Sequence, residues 1–284
     1  MNRVVAIYRS PAYSPHQHLE NDRAILDAVV AHFPSTGWHV VKVSEADVAA
    51  GQLPRGDLYL NMCQGPDAAA RLNELLPRDV PCINTPSAVL ACHRHRLVPL
   101  LRESGVAFPP TVLLSTTGAE AAAPPVHLVT ENGHPVWVKR GDVHAQRTED
   151  VVSVRPSELV AALGEFAGRG IRRVALQAHV PGPVVKFYGV IGRGFFHWYP
   201  ADTRNQAAVV APSAPLQDLA ERAAEALGLS VYGGDAVLTA PDAPVLIDLN
   251  DWPSFAPVRS PAAAAIAGYA RQFTRKGRYS CSTP

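Results

Sequence analysis

A parallel α/β layer followed by a larger α+β region is the fold class this sequence predicts, and three observations carry it. Over residues 1–88, short apolar runs alternate with segments of helical periodicity, the pattern of a parallel sheet covered by helices. From residue 89 onward, strand signals follow one another, two of them across the turn Pro181-Gly182-Pro183, which favours antiparallel sheets packed on helices. Thirdly, Gly233 to Pro253 reads as a hairpin with acids inside otherwise apolar strands. If Pro241-Asp242 centre its turn, Asp235 lies opposite Asp248, and Asn250, two residues on, shares the face of Asp248.

In the first layer the expected elements are strands at 4–8, 39–43, 58–61 and 80–84, with helices at 21–32 and 68–76. The ligand crevice of such a sheet lies at the carboxyl ends of its strands, where the polar loop Arg9 to His18 follows the first strand. A helix is expected over 87–104, capped by Ser87 and ended by Gly105. A strand at 111–114 comes next, then an Ala/Gly/Thr-rich loop over 116–125. Strands follow at 136–139 and 151–154, a helix capped by Ser157 at 157–167, and strands at 174–180, 184–191 and 195–199. An amphipathic helix at 216–227 precedes the hairpin, a helix at 262–273 follows it, and the tail from Arg275 reads as loosely ordered. The expected division is 1–88, 89–175 and 176–284.

Composition excludes several classes. With 47% hydrophobic residues in 284, the chain can bury a sizeable core and is not disordered. Its 26 basic and 25 acidic residues give a net charge of +1, no footprint for nucleic acid or an anionic membrane. No apolar run approaches membrane-spanning length. Cys63, Cys82, Cys92 and Cys281 form no CxxC pair and no zinc-like spacing, so they read as free thiols. The expected setting is the cytoplasm and the expected partner a small-molecule substrate.

Several residues have the chemistry of a phosphate site. Lys139 ends the apolar run from Pro135, so a rigid strand would project a compact cation. Lys186 sits within an apolar strand, where an ammonium is costly unless paired with an anion. Gln177, Ala178, His179 and Val180 run from a strand into a Pro-Gly turn and can offer backbone groups to a heterocycle edge. Paired carboxylates repel unless a cation joins them, and the oxygen donors of Asp235, Asp248 and Asn250 suit Mg²⁺ together with phosphate oxygens.

In this order, strand lysine, hinge, second lysine and Asp…Asp-x-Asn, residues 89–284 resemble the ATP-grasp superfamily, and the preceding α/β layer is what that family carries in front. The resemblance implies MgATP held between two α+β lobes. Lys139 would be a phosphate lysine, Gln177 to Val180 the adenine hinge, and Asp235, Asp248 and Asn250 the metal ligands. The chain departs from the pattern at Arg94, which aligns with a nucleotide lysine of many members. Arginine offers a planar fork in place of a point charge.

Three local features are similar to the inositol polyphosphate kinases of that superfamily. They are His144 five residues after Lys139, the run Val185 to Gly192, and Asp248-Leu249-Asn250 followed by Trp252-Pro253-Ser254-Phe255. They favour a kinase that phosphorylates a hydroxyl of a small polyol or inositol-phosphate-like substrate. Lys186, His144 and Arg204 would then act on the moving phosphoryl group or its acceptor. Near-neutral charge argues against a highly phosphorylated acceptor. A carboxylate–amine ligase acting through an acyl phosphate is the alternative, and a non-catalytic nucleotide-binding module, suggested by Arg94, is the third reading.

Overall fold

The structure is a computed structural model that describes residues 1–14, 19–130, 134–192, 194–203, 211, 213–240 and 242–276, the last three by backbone alone. Its first layer runs β1 (Asn2–Tyr8), α1 (Leu19–Val30), β2 (Trp38–Ser44), α2 (Glu45–Ala49), β3 (Leu58–Asn61), α3 (Pro66–Leu75) and β4 (Cys82–Ile83). The four strands are parallel in the order β2-β1-β3-β4, as the alternating pattern implies. The short helix α2 is not evident from periodicity. It forms through a capping box in which the Ser44 hydroxyl accepts from Asp47 N while Asp47 accepts from Ser44 N.

One expected helix is two. Thr85, not Ser87, caps α4 (Pro86–Ala91), and α5 (Arg94–Glu103) starts afresh because His93 adopts an extended backbone, φ −67° and ψ 128°. The break turns Cys92 and His93 into the protein interior.

The second sheet contains β5 (Thr111–Ser115), β6 (Val136–Arg140), β7 (Val151–Val154) and β8 (Arg173–Ala178), antiparallel in the order β5-β8-β6-β7. The helices α6 (Ala119–Ala122) and α7 (Leu159–Gly168) accompany it. α6 interrupts the expected loop, and Ser157 lies in a 3₁₀ turn before α7 instead of capping it. The third sheet is β9 (Val184–Val190), β10 (Phe195–Pro200), β11 (Val231–Ala240) and β12 (Ala243–Asp251), antiparallel in the order β10-β9-β11-β12. α8 (Ala214–Leu227) precedes β11, and α9 (Arg259–Lys276) follows β12. Most of the tail lies outside the described residues. Among those described, no helix is long and apolar enough to cross a membrane.

The hairpin register holds by cancellation. Ala240 pairs with Ala243 at the turn, Thr239 is then unopposed, and Leu238 pairs with Pro244. On the other strand Ile247 is unopposed, which restores Asp235 to Asp248. This second irregularity has a physical purpose. Leu246 and Leu249 are three residues apart and would face opposite ways in a regular strand, yet both are fully buried. The extra residue puts them on one face and sends Asp248 to the other.

α9 returns to pack on α1, and Trp252, Phe255 and Ile266 share a core with Val4, Ile25 and Leu60. Buried Asn84 fastens the same junction. Its Nδ2 donates to Val231 O at 2.7 Å, and its Oδ1 accepts from Ser230 N at 2.8 Å and Val231 N at 3.0 Å. Asn84→Ala strands these backbone groups and is expected to cost about 2–4 kcal/mol, given roughly 1–3 kcal/mol per orphaned buried group partly relieved by water. Urea unfolding measures it, and an unchanged midpoint would remove Asn84 as a fastener.

Candidate functional site

Two cross-strand rows on one face of the third sheet define the site. Tyr199, Lys186, Asp235 and Asp248 form one row across all four strands. His197, Tyr188, Gly233 and Asn250 form the next row on the same face. The two glycines at the base leave no room for a side chain. A Cβ on Gly234 would stand 2.3 Å from Asp248 O, and one on Gly233 2.7 Å from the Pro253 ring.

Charges alternate across this face. Lys186 Nζ donates to Asp235 Oδ1 at 2.7 Å, and Arg94 Nη2 to Asp248 Oδ2 at 2.6 Å. Arg94 Nη1 also donates to Arg140 O at 3.0 Å, which ties α5 to the end of β6. Burial pushes the Asp248 carboxyl up, but Arg94, then Lys139 and His144, outweigh it and hold the group below its ordinary range. Burial likewise works against the Lys186 ammonium, and Asp235 overcomes it, so that pKa is raised. Lys139 is the contrary case. It is buried, its Nζ donates to Ile247 O at 2.9 Å, and desolvation wins over Asp248, lowering its pKa to about 8.

Arg94, Lys186, Asp235 and Asp248 line a cavity of about 290 Å³ together with His144, Asn250, Arg9, Asp22, Gln64, Asp251 and the turn at Trp252–Ser254. The turn itself is strained. Trp252 and Phe255 hold positive φ angles of 34° and 49°, which non-glycine residues keep only when the surroundings impose them. Burial imposes them here, with Arg9 Nη2 donating to Trp252 O at 3.1 Å and Trp252 Nε1 to Ile83 O at 3.0 Å.

Of the residues singled out in the sequence, Arg94, His144, Lys186, Asp235, Asp248 and Asn250 meet at this cavity, and Lys139 reaches it from behind through the Ile247 carbonyl. Gln177 and Ala178 end β8, and His179 and Val180 follow on the link to β9, outside the cavity lining. Arg204 lies outside the described residues, as do His16 and His18. Arg259 donates to Asn21 at 2.7 Å. Asp22, Gln64 and Asp251 were not singled out. Asp251 adjoins Asn250, and strand alternation places it off the acidic face, where only the tertiary fold supplies its partners.

No family model and no curated protein sequence matches the chain. Solved structures do. A D-alanine–D-alanine ligase from Bacillus anthracis is 12% identical, with a TM-score of 0.67 over 97% of this chain and 100% of that one. The same enzyme complexed with ATP gives 0.66 at 14% identity, over 94% and 92% of the two chains. A RimK domain ATP-grasp protein from Sphaerobacter thermophilus is 23% identical, with a TM-score of 0.64 over 95% and 99%. The VanG D-Ala:D-Ser ligase from Enterococcus faecalis is 13% identical, with 0.63 over 89% and 91%. The chain has the ATP-grasp fold. These likenesses cover the parallel layer as well as both antiparallel sheets, and nothing in them supports the inositol polyphosphate kinase branch.

Within this ATP-grasp fold the donor set fits Mg²⁺. Asp235, Asp248 and Asn250 offer hard oxygen atoms on one face at a cavity, and the cations already beside the two acids mark where positive charge is required.

Lys139 gives a prediction with a definite sign. Unfolded, its ammonium holds the proton up to about 10.5, whereas folded it releases it near 8. Between these values the unfolded chain binds more protons, so the Lys139 contribution to stability rises with pH from 8 to 10.5 and is flat below. Urea unfolding of the wild type and Lys139→Met at pH 7.5 and 9.5 isolates it. The wild type is expected to gain relative to the variant at the higher pH, and parallel behaviour would contradict the buried-cation assignment.

Proposed function

We propose that this chain is an MgATP-dependent carboxylate–amine ligase, and the charge balance of the cavity carries that reading. The cations Arg9, Arg94 and Lys186 face the acids Asp22, Asp235, Asp248 and Asp251. Arg9 is moreover committed to Asp22 at 2.9 Å. A polyphosphorylated acceptor would need a dense excess of cations, and the described lining residues show no such excess. A small substrate with a carboxylate and an amine suits a lining of mixed sign. The fold-level likeness to D-Ala–D-Ala and D-Ala:D-Ser ligases over nearly the whole chain supports the same chemistry as an analogy. The kinase reading rested on three short local matches, and the ligase alternative now stands ahead of it. Arg94, whose departure from lysine suggested a module without catalysis, supplies a buried cation at the acidic face.

In this reading Lys139 and Arg94 hold nucleotide phosphates, Asp235, Asp248 and Asn250 hold Mg²⁺, and Gln177 to Val180 border the adenine. Bound MgATP supplies the phosphoryl group that activates the substrate carboxylate. Lys186 holds negative charge as it develops, with its own pKa kept high by Asp235 so that it stays protonated at neutral pH. His144 lines the cavity beside Asp251 and is placed to take a proton from the attacking amine.

ADP release is expected to require both a carboxylate and an amine from an amino-acid panel, with hydroxylamine trapping an acyl phosphate when the amine is omitted. Asp248→Asn is expected to abolish Mg²⁺-dependent turnover in a folded protein. Lys139→Ala is expected to slow it roughly 10²–10³-fold, the scale of a lost electrostatic donor. A phosphorylated alcohol with no amide product would overturn the ligase reading.

A further inference from the structure

Behind the acidic face lies a second group of side chains with different chemistry. Cys92 Sγ, His144 Nε2 and a carboxylate oxygen of Asp251 all lie within 4.8 Å of one another. The three residues are 3%, 8% and 1% exposed. They come from distant parts of the chain: the break between α4 and α5, the loop after β6, and the end of β12.

The hydrogen bonding of this group is incomplete. His144 Nε2 stands 3.0 Å from Asp251 Oδ1, yet it is buried without a hydrogen-bond partner, and so is Asp251 Oδ2. Gln64 Nε2 satisfies only the other Asp251 oxygen, at 3.2 Å. Orphaned buried atoms of this kind are costly unless a proton on Nε2 or a metal ion joins the imidazole to the carboxylate. Something positive belongs between them.

We infer that Cys92, His144 and Asp251 form a binding site for a zinc-class divalent cation, separate from the Mg²⁺ ligands and selected by its sulfur and nitrogen donors. Atoms sharing one tetrahedral zinc stand about 3.3–3.7 Å apart, from bond lengths of about 2.0–2.3 Å. On binding, the S–H bond breaks, the sulfur–metal bond forms and the proton leaves to solvent. Burial holds the Cys92 thiol well above its ordinary pKa, and its S–H donates to Ala88 O at 3.5 Å, so the ion itself must displace that proton. His144 and Asp251 also border the cavity, which places this group beside the acidic face.

The two sites sort ions by hardness. A thiolate and an imidazole select zinc-like ions, whereas the all-oxygen set of Asp235, Asp248 and Asn250 suits Mg²⁺. Occupancy takes His144 out of proton transfer and pins the loop that carries it to β12, so the ion is a brake on the site and not a participant in it. The binding itself does not depend on the ligase reading.

Titration of the metal-free protein with Co²⁺ tests the site by absorbance, whatever the activity. The expected result is one equivalent bound with thiolate-to-cobalt charge transfer, displaced by Zn²⁺ and unaffected by excess Mg²⁺. Cys92→Ala is expected to lose the charge-transfer band while circular dichroism stays native. Asp251→Asn and His144→Gln, close in shape to the originals, are expected to weaken binding roughly 10–100-fold or more. A band that survives in Cys92→Ala, a band displaced by Mg²⁺, or no sulfur–cobalt band at all would overturn the proposal. The last result would leave a proton as what joins His144 to Asp251.

Discussion

Asp235 and Asp248 stand side by side in a β-ladder, and their mutual repulsion is the constraint around which the site is built. Arg94 answers Asp248 from α5, and Lys186 answers Asp235 from β9. Lys139, reaching from the second sheet, adds its charge nearby while bonding to the Ile247 carbonyl. The antiparallel sheets and the helix that enters them are therefore joined by charge as well as by apolar packing. A cation at the acids would compete with these internal partners, which ties metal binding to the positions of α5 and β9.

The parallel layer reaches the same cavity by another route. Glu45 is buried and accepts from the backbone N–H groups of Ser10, Gln64 and Gly65 at 2.6, 3.0 and 2.6 Å. It thereby fixes the loops after β1 and β3, which deliver Arg9 and Gln64 to the cavity wall. Three backbone donors lower the cost of burying its charge, although burial still leaves its pKa raised. α9 then closes over α1, so the layer and the third sheet share a core instead of meeting only at the site.

The strands and the acidic hairpin were legible in the sequence because both depend on local alternation of apolar and polar residues. Val151–Val154 and Leu58–Asn61 have the bounds their patterns imply. The helix break at Cys92–His93 was not legible, since an unbroken polar-apolar periodicity runs through it and only tertiary contacts turn His93 out of helix. The same break brings Cys92 to His144 and Asp251, three residues whose spacing in the chain carries no metal signature. The kinase reading shows the opposite fault. Short runs around His144 and Trp252 resembled one branch of a superfamily, while the near-neutral charge of the chain already argued against its polyanionic substrates. Among the described lining residues of the cavity, cations and acids are nearly balanced.

The unopposed residues of the hairpin cancel in number and differ in kind. Thr239 lies beside the turn, and a chain lacking it would pair Leu238 and Ala240 with the same partners as now. Ile247 lies between a core leucine and a cavity acid, and a chain lacking it must turn one of them the wrong way. Relatives that keep this site are thus free to gain or lose residues near the turn but not at Ile247. An alignment that places a gap there has joined two different strand faces.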